Sequence, residues 1–377
     1  MPRHDVAIYS PWAQVYYDAS AKRAGGGAER QTALLARALA SRGARVAHIV
    51  YPVAEPTIDP DAPVTLVERS QNDGLGPTRA LAGETVEVWR ALSRADATVQ
   101  VFRGVSGALG VAGLWARRYR RRMVFAGANN ADFTLETVGG RLNPRRALYR
   151  AGLTAADSVV VQSSDQARIA RERFPALRRI HEIPSFVEPG MEAHGEGEAF
   201  LWVSRLAEYK RPLLYADLAA AMPEARFWMI AVATADPSYE ETIAELRRRQ
   251  QELPNFEILP QRRHEDLQDL IGRAVAMVNT SSFEGMPNTW LEGWSRGVPA
   301  LTLSYDPDGR IAQHGLGVSG GGSWDKFVAG ARDLWLHRSD RGAFGPTVRG
   351  YVADVHGTQV ARTWTDLLLG DALPRAR

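Results

Sequence analysis

The stretch Ser282–Ala300 reads SFEGMPNTWLEGWSRGVPA and follows a short apolar run, Ala276–Asn279. That run has the length and apolar content of a buried strand. The loop after it carries Glu284 and Gly285, and Pro287 stands near the start of a helix, where a missing N–H costs nothing. The pattern predicts a helix over Asn288–Arg296 and another strand over Ala300–Leu303. Strand, loop, helix and strand make one βαβ unit. At the helix start the N–H groups of Gly285, Met286 and Asn288, with Thr289 in the same turn, can face an anion, helped by the helix dipole. Glu292 lies four residues after Asn288 and shares its helix face. Trp290 and Trp294 form a separate stripe that reads as core. Singly, Glu284 is a loop carboxylate and Glu292 a solvated helix residue; together, two acids around one helix start suit a sugar phosphate.

The same alternation extends in both directions. Strand-like runs recur at Asp5–Tyr9, Arg45–Val50, Val64–Glu68, Thr98–Phe102, Met123–Ala126, Ser158–Gln162 and Ile180–Ile183. The segment Val187–Glu198 is acidic and rich in Gly and Pro, which marks a linker. Beyond it, runs at Phe200–Val203, Arg226–Ala231 and Phe256–Leu259 restart the pattern. Strands separated by helices of 10–15 residues indicate parallel sheets. The expected fold is α/β, with two doubly wound domains, 1–187 and 188–349, and a final helix within 350–377 packing back on the first. In such sheets ligands lie at the carboxyl ends of the strands, which places the expected site in the cleft between the domains.

A second cluster follows the run Phe200–Val203: Ser204–Pro212 reads SRLAEYKRP. Arg205 and Lys210 stand on a loop at a strand's carboxyl end, where a guanidinium fork and an ammonium together neutralise a diphosphate. The plain alternative is a surface basic loop. Lysine is scarce, with Lys22, Lys210 and Lys326 the three in a chain of 46 basic residues, which tilts Lys210 toward a role. Composition narrows the field further. With no cysteine, disulfide scaffolds, thiolate zinc sites and a cysteine nucleophile are excluded. The opening MPRHDVAIYS runs straight into a strand, so no signal peptide is expected. The longest mostly apolar uncharged stretch, Gly104–Ala116, is too short to span a bilayer. A cytoplasmic enzyme is expected.

These motifs, SRLAEYKRP at 204–212, FEGMPNTWLEGWSRGVP at 283–299 and GGGAERQ at 25–31, resemble those of retaining glycosyltransferases of family 4, which have the GT-B fold of two Rossmann-like domains facing a central cleft. The resemblance runs from the first strand to about Gly320. It implies a nucleotide-diphosphate sugar as donor, bound by the C-terminal domain, and transfer with retention to an acceptor hydroxyl. Arg205 and Lys210 would hold the diphosphate, Glu284 the transferred sugar, Glu292 the ribose diol, and the backbone of Gly285–Asn288 the phosphates. It implies no cofactor and no metal; Asp306 and Asp308 read as a turn rather than a metal pair. The N-terminal domain would bind the acceptor, which the sequence leaves open among sugar, lipid-linked and small-molecule compounds.

Gly25, Gly26 and Gly27 open a helix and would let the backbone approach phosphate or sugar closely. The aromatic residues Trp12, Tyr16 and Tyr17 either stack on a sugar or cover the sheet. Many members of the family carry a histidine after the strand corresponding to Met123–Ala126, whereas this chain has Gly127–Asp132 (GANNAD). Asn129 or Asn130 could bond the transferred sugar and Asp132 could accept a proton; an Asn turn is the competing reading. The basic run Arg117–Arg122 reads either as a solvated helix end or as a patch for peripheral contact with the inner membrane face or a phosphorylated acceptor. No nucleic-acid module accompanies it. A GT-B epimerase or hydrolase, and a non-catalytic sugar-nucleotide-binding protein, are the alternative functions. The formal charge of +3 hides a division: residues 1–187 hold 26 basic and 17 acidic side chains, residues 188–377 hold 20 and 26.

Overall fold

In the computed structural model the apolar runs become two parallel sheets. The structure describes residues 2–21, 25–70, 77–104, 106–135, 143–193, 195–233, 239–340 and 342–370. Among these, β1 (His4–Tyr9), β2 (Val46–Val50), β3 (Val64–Glu68), β4 (Ala97–Arg103), β5 (Arg122–Ala126), β6 (Ser158–Val161) and β7 (Ile180–Glu182) form one sheet in the order β3-β2-β1-β4-β5-β6-β7. The second contains β8 (Ala199–Arg205), β9 (Phe227–Val232), β10 (Phe256–Leu259), β11 (Ala274–Asn279), β12 (Ala300–Thr302) and β13 (Gly317–Ser319), ordered β10-β9-β8-β11-β12-β13. Every residue of β2, β6 and β11 is buried. Helices cover both faces of a parallel sheet, so its strands read as continuous apolar runs rather than alternations.

The sheets belong to separate compact units. The first spans residues 1–21 and 25–185 and takes back the chain from Gln359 onward; the second covers Phe186–Thr358. The helix Gly345–His356 therefore stays with the second unit. The last helix, Gln359–Leu369, packs on Gly27–Ala40 of the first. It buries Val360, Ala361, Trp364 and Leu368. Arg122 fastens its end by donating to the carbonyls of Leu367 and Leu368, each at 3.1 Å.

Most helices and strands lie within a residue or two of their expected bounds. The strand β13 was not expected: three residues among glycines have no readable period. The aromatic segment after β1 contains a short 3-10 helix, Pro11–Tyr16, while residues 22–24, Lys22 included, lie outside the described residues. Among the described residues no helix is long and apolar enough to cross a membrane.

Candidate active site

In the second sheet the strand order reverses between β8 and β11, and the loops leaving these two strands carry the two motifs. A crevice opens where successive crossovers depart in opposite directions. Lys210, on the loop after β8, pairs there with Glu284, on the loop after β11. Their side chains are 11% and 12% exposed. The same carboxylate oxygen, Oε1, accepts from Ser281 Oγ at 2.7 Å and Asn279 Nδ2 at 3.3 Å. Tyr209 stacks on Phe283, ring centroids 4.5 Å apart and planes 11° from parallel. Arg211, with a left-handed φ of +48°, donates to the carbonyls of Thr280 and Ser281 and to Ser304 Oγ. These contacts hold the two loops as one platform. Arg205 ends β8 exposed, its guanidinium 3.4 Å from the Tyr209 hydroxyl. Among the described residues, no carboxylate lies within ion-pair distance of it.

Past the platform, the helix Asn288–Trp294 is seven residues long and Pro287 is its N-cap. Trp290 and Trp294 are fully buried and pack together at 5.7 Å. Glu292 is also buried, at 4% exposure, and accepts from Gln268 Nε2 at 3.1 Å. Gln268 in turn lies 3.1 Å from His264 Nε2. Met286 and Pro287 are buried, while Gly285, Asn288 and Thr289 are half-buried. The Tyr305 hydroxyl donates to the Gly285 carbonyl at 2.8 Å, which sets the plane of the Gly285–Met286 peptide. Asp306 accepts from the Ile311 N–H in the first turn of the following helix at 2.9 Å, and Asp308 pairs with Arg310 at 2.9 Å. Both are thus turn residues.

The first sheet reverses between β1 and β4. Arg103, the last residue of β4, donates to Ser185 Oγ at 3.1 Å. Ser185 donates to Gln162 Oε1 at 2.6 Å, and Gln162 Nε2 to the carbonyls of Gly127 and Ala128, both at 2.8 Å. The N–H groups of Ala128 and Asn129 bond Asp132 Oδ2 at 2.5 and 3.3 Å. A continuous chain of bonds thus joins Arg103 to the loop that holds Asp132. Burial pushes the Asp132 carboxyl up to about 6, against the pull of those N–H groups and of Arg103. Burial also draws the Arg103 guanidinium down to about 10, opposed by Asp132 and Glu29. Asn129 Oδ1 and Asn130 Oδ1 are buried with no partner among the described residues. A Cβ at Gly26 would stand 2.4 Å from the Glu29 carboxylate, and one at Gly25 would strike Val15 and Tyr16. These obstacles are side-chain atoms, so a larger residue at either position would have to displace them. The aromatic loop divides: Trp12 is 51% exposed, whereas Tyr17 is buried and bonded to His48 Nδ1 at 2.7 Å.

The structure therefore brings Lys210 and Glu284 together, places Glu292 in a polar cluster with Gln268, and sets Asn129 and Asp132 on the other unit. Tyr209, Phe283 and Arg211 border residues the motifs single out, so their position beside Lys210 and Glu284 was a usable signal. Arg103, Gln162, Gln268 and Tyr305 had none, since each reaches its partner across the fold.

Residues 26–185 match the family model described as a glycosyl transferase 4-like domain. No curated protein matches the chain. Among solved structures, the sucrose-phosphate synthase of Thermosynechococcus elongatus superposes with a TM-score of 0.76 at 12% identity, over 97% of this chain and 98% of that one. Anabaena HepE, solved with UDP and glucose, gives 0.69 at 13% identity over 97% and 99%. A glycosyltransferase of Rickettsia africae gives 0.68 at 13% over 97% of each. At such identities the likeness is one of fold. Residues 26–185 thus form a glycosyl transferase 4-like domain, and the chain with its two doubly wound sheets has the GT-B fold.

Proposed function

We propose that the chain transfers a sugar from a nucleotide-diphosphate sugar to an acceptor hydroxyl, with retention of configuration and without a metal ion. The observation that carries this reading is the Lys210–Glu284 pair at the switch point of the second sheet. A cation and an acid adjoin there on one rigid platform, as a donor presenting phosphate beside hydroxyls requires. As the bond from the sugar's anomeric carbon to the diphosphate oxygen breaks, negative charge grows on the leaving nucleotide. Arg205 and Lys210 stabilise that charge where it develops, the task a divalent ion would otherwise perform. Glu284, with Oε1 held by Ser281 and Asn279, offers Oε2 to a hydroxyl of the transferred sugar. Glu292 takes the ribose diol, and the peptides from Gly285 to Thr289 line the phosphates.

On the acceptor side, Asp132 takes the proton of the attacking hydroxyl, and Asn129 or Asn130 bonds the sugar. The complex of HepE with UDP and glucose favours a uridine nucleotide as the first donor to try. The test is incubation with UDP- and GDP-sugars, following free nucleotide and the anomeric proton of any product. Nucleotide release that rises with added sugar acceptor, giving a product of the donor's own anomeric configuration, is expected. An isomerised donor without release, or an inverted product, would overturn the reading.

A further inference from the structure

The run Arg117–Arg122 does not act as one unit. Arg121 pairs with Asp96 at 2.9 Å, and Arg122 holds the last helix. Arg117, Arg118 and Arg120 remain exposed. Arg117 and Arg118 stand three and four residues beyond Leu114, so the three share one face of the helix Ala108–Tyr119. Leu114 is 61% exposed and Tyr119 44%. The neighbouring helix Pro77–Ala95 adds a stripe at the same spacing, Val86, Trp89, Arg90 and Ser93, with Val86 46% exposed. Trp89 and Tyr119 meet at 6.0 Å and make the two stripes continuous. Beside them lies an open hollow of about 440 Å³ lined by Arg3, Trp89, Arg90, Ser93, Arg94 and Asp96.

Six exposed arginines thus surround this surface: Arg3, Arg90, Arg94, Arg117, Arg118 and Arg120. Among the described residues its two acids are engaged, Glu87 by Arg90 at 3.1 Å and Asp96 by Arg121. A merely solvated face intersperses both signs. Here cations alternate with exposed apolar and aromatic side chains, the composition that suits an interface of anionic headgroups over acyl chains. We propose that this face docks the protein on an anionic lipid bilayer, with the arginines on the headgroup phosphates and Leu114, Tyr119 and Val86 at the acyl boundary. Arg3, Asp96 and Arg120 precede β1, β4 and β5, so the hollow lies at the amino-terminal edge of the first sheet. Arg103 and Asp132 lie at the opposite edge, which separates docking from the chemistry.

Co-sedimentation of the full chain with vesicles tests this. Retention is expected on phosphatidylcholine vesicles containing about a third phosphatidylglycerol, but not on phosphatidylcholine alone, and it should fall steeply as salt is raised. The variant Arg117→Ala/Arg118→Ala/Arg120→Gly, whose glycine suits the left-handed φ of +53° at position 120, should lower the partition about a hundredfold. Its thermal melt and its nucleotide release from a soluble donor should be unchanged. Leu114→Ser should remove the part of binding that survives high salt. Wild-type protein that ignores anionic vesicles, or a triple variant that binds like wild type, would overturn the proposal. So would retention displaced by inorganic phosphate at constant ionic strength, which marks a soluble-phosphate site, or retention by duplex DNA in place of vesicles.

Discussion

In the proposed reaction Lys210 meets the departing diphosphate and Glu292 the ribose diol, and each role has its own kinetic signature on substitution. Lys210→Ala removes a cation from the departing diphosphate and is expected to lower kcat by about 100- to 1000-fold. Glu292→Ala acts on a contact made equally before and during reaction, so it should raise the donor KM with kcat little changed. Steady-state kinetics with the preferred donor separates the two. Asp132 allows a test with a sign. Its carboxyl titrates near 6 in the fold against 3.8 when unburied. A raised acid pKa means the native state holds a proton that the unfolded chain has released, so its stabilising contribution is present below pH 4 and lost as pH rises through 6. Asp132→Asn should therefore add up to about 3 kcal/mol of stability at pH 8 and little at pH 4, read from thermal melts at both. The same substitution should reduce transfer, and wild-type activity should fall as pH drops below 6. Equal melting gains at both pH values would show that burial does not govern this carboxyl.

At the scale of elements, the helices Ala108–Tyr119 and Pro144–Ala155 cross at Gly110 and Gly152. A Cβ on Gly152 would lie 2.3 Å from the Leu109 carbonyl carbon, and one on Gly110 2.5 Å from the Leu148 oxygen. Both obstacles are backbone, so neither can rotate aside. Gly152→Ala should cost about 1–3 kcal/mol through overpacking, seen as a lower denaturant midpoint, although alanine favours helix in isolation. Donor affinity, measured by titration with the nucleotide, should not change, because the crossing lies in the first unit. The sequence at this scale was legible where periodicity ran long. The runs Val64–Glu68 and Phe256–Leu259 are strands over those same residues, and the helix expected over Asn288–Arg296 ends two residues sooner, at Trp294. The glycines 110 and 152 carried no such notice, since the neighbour that forbids a side chain is 38 residues away for one and 43 for the other.

Across the whole molecule, the last helix belongs to the first unit although the second unit precedes it in the chain. Truncation after Thr358 should thus destabilise the first unit selectively. Hydrogen exchange should rise in the helix Gly27–Ala40 while β8 and β11 stay protected, and Trp364→Ala should reproduce part of the loss at about 3–5 kcal/mol. Even deprotection of both units would contradict the division. What the amino-acid sequence determined by itself was local and periodic: the alternation of buried strands and helices, the two doubly wound domains, and the loops bearing Lys210 and Glu284. Buried parallel strands and helix faces write their burial into consecutive residues, so they can be read in order. Only tertiary structure decided which loops meet. The reversal between β8 and β11 joins residues 210 and 284, and the side chains of Ser185 and Gln162 link Arg103 to the loop of Asp132. Folding likewise gathers Arg3, Arg90 and Arg94 beside Arg118 and divides a run of arginines among solvent, Asp96 and the last helix. Such pairings depend on strand order and side-chain reach, which no window along the chain contains.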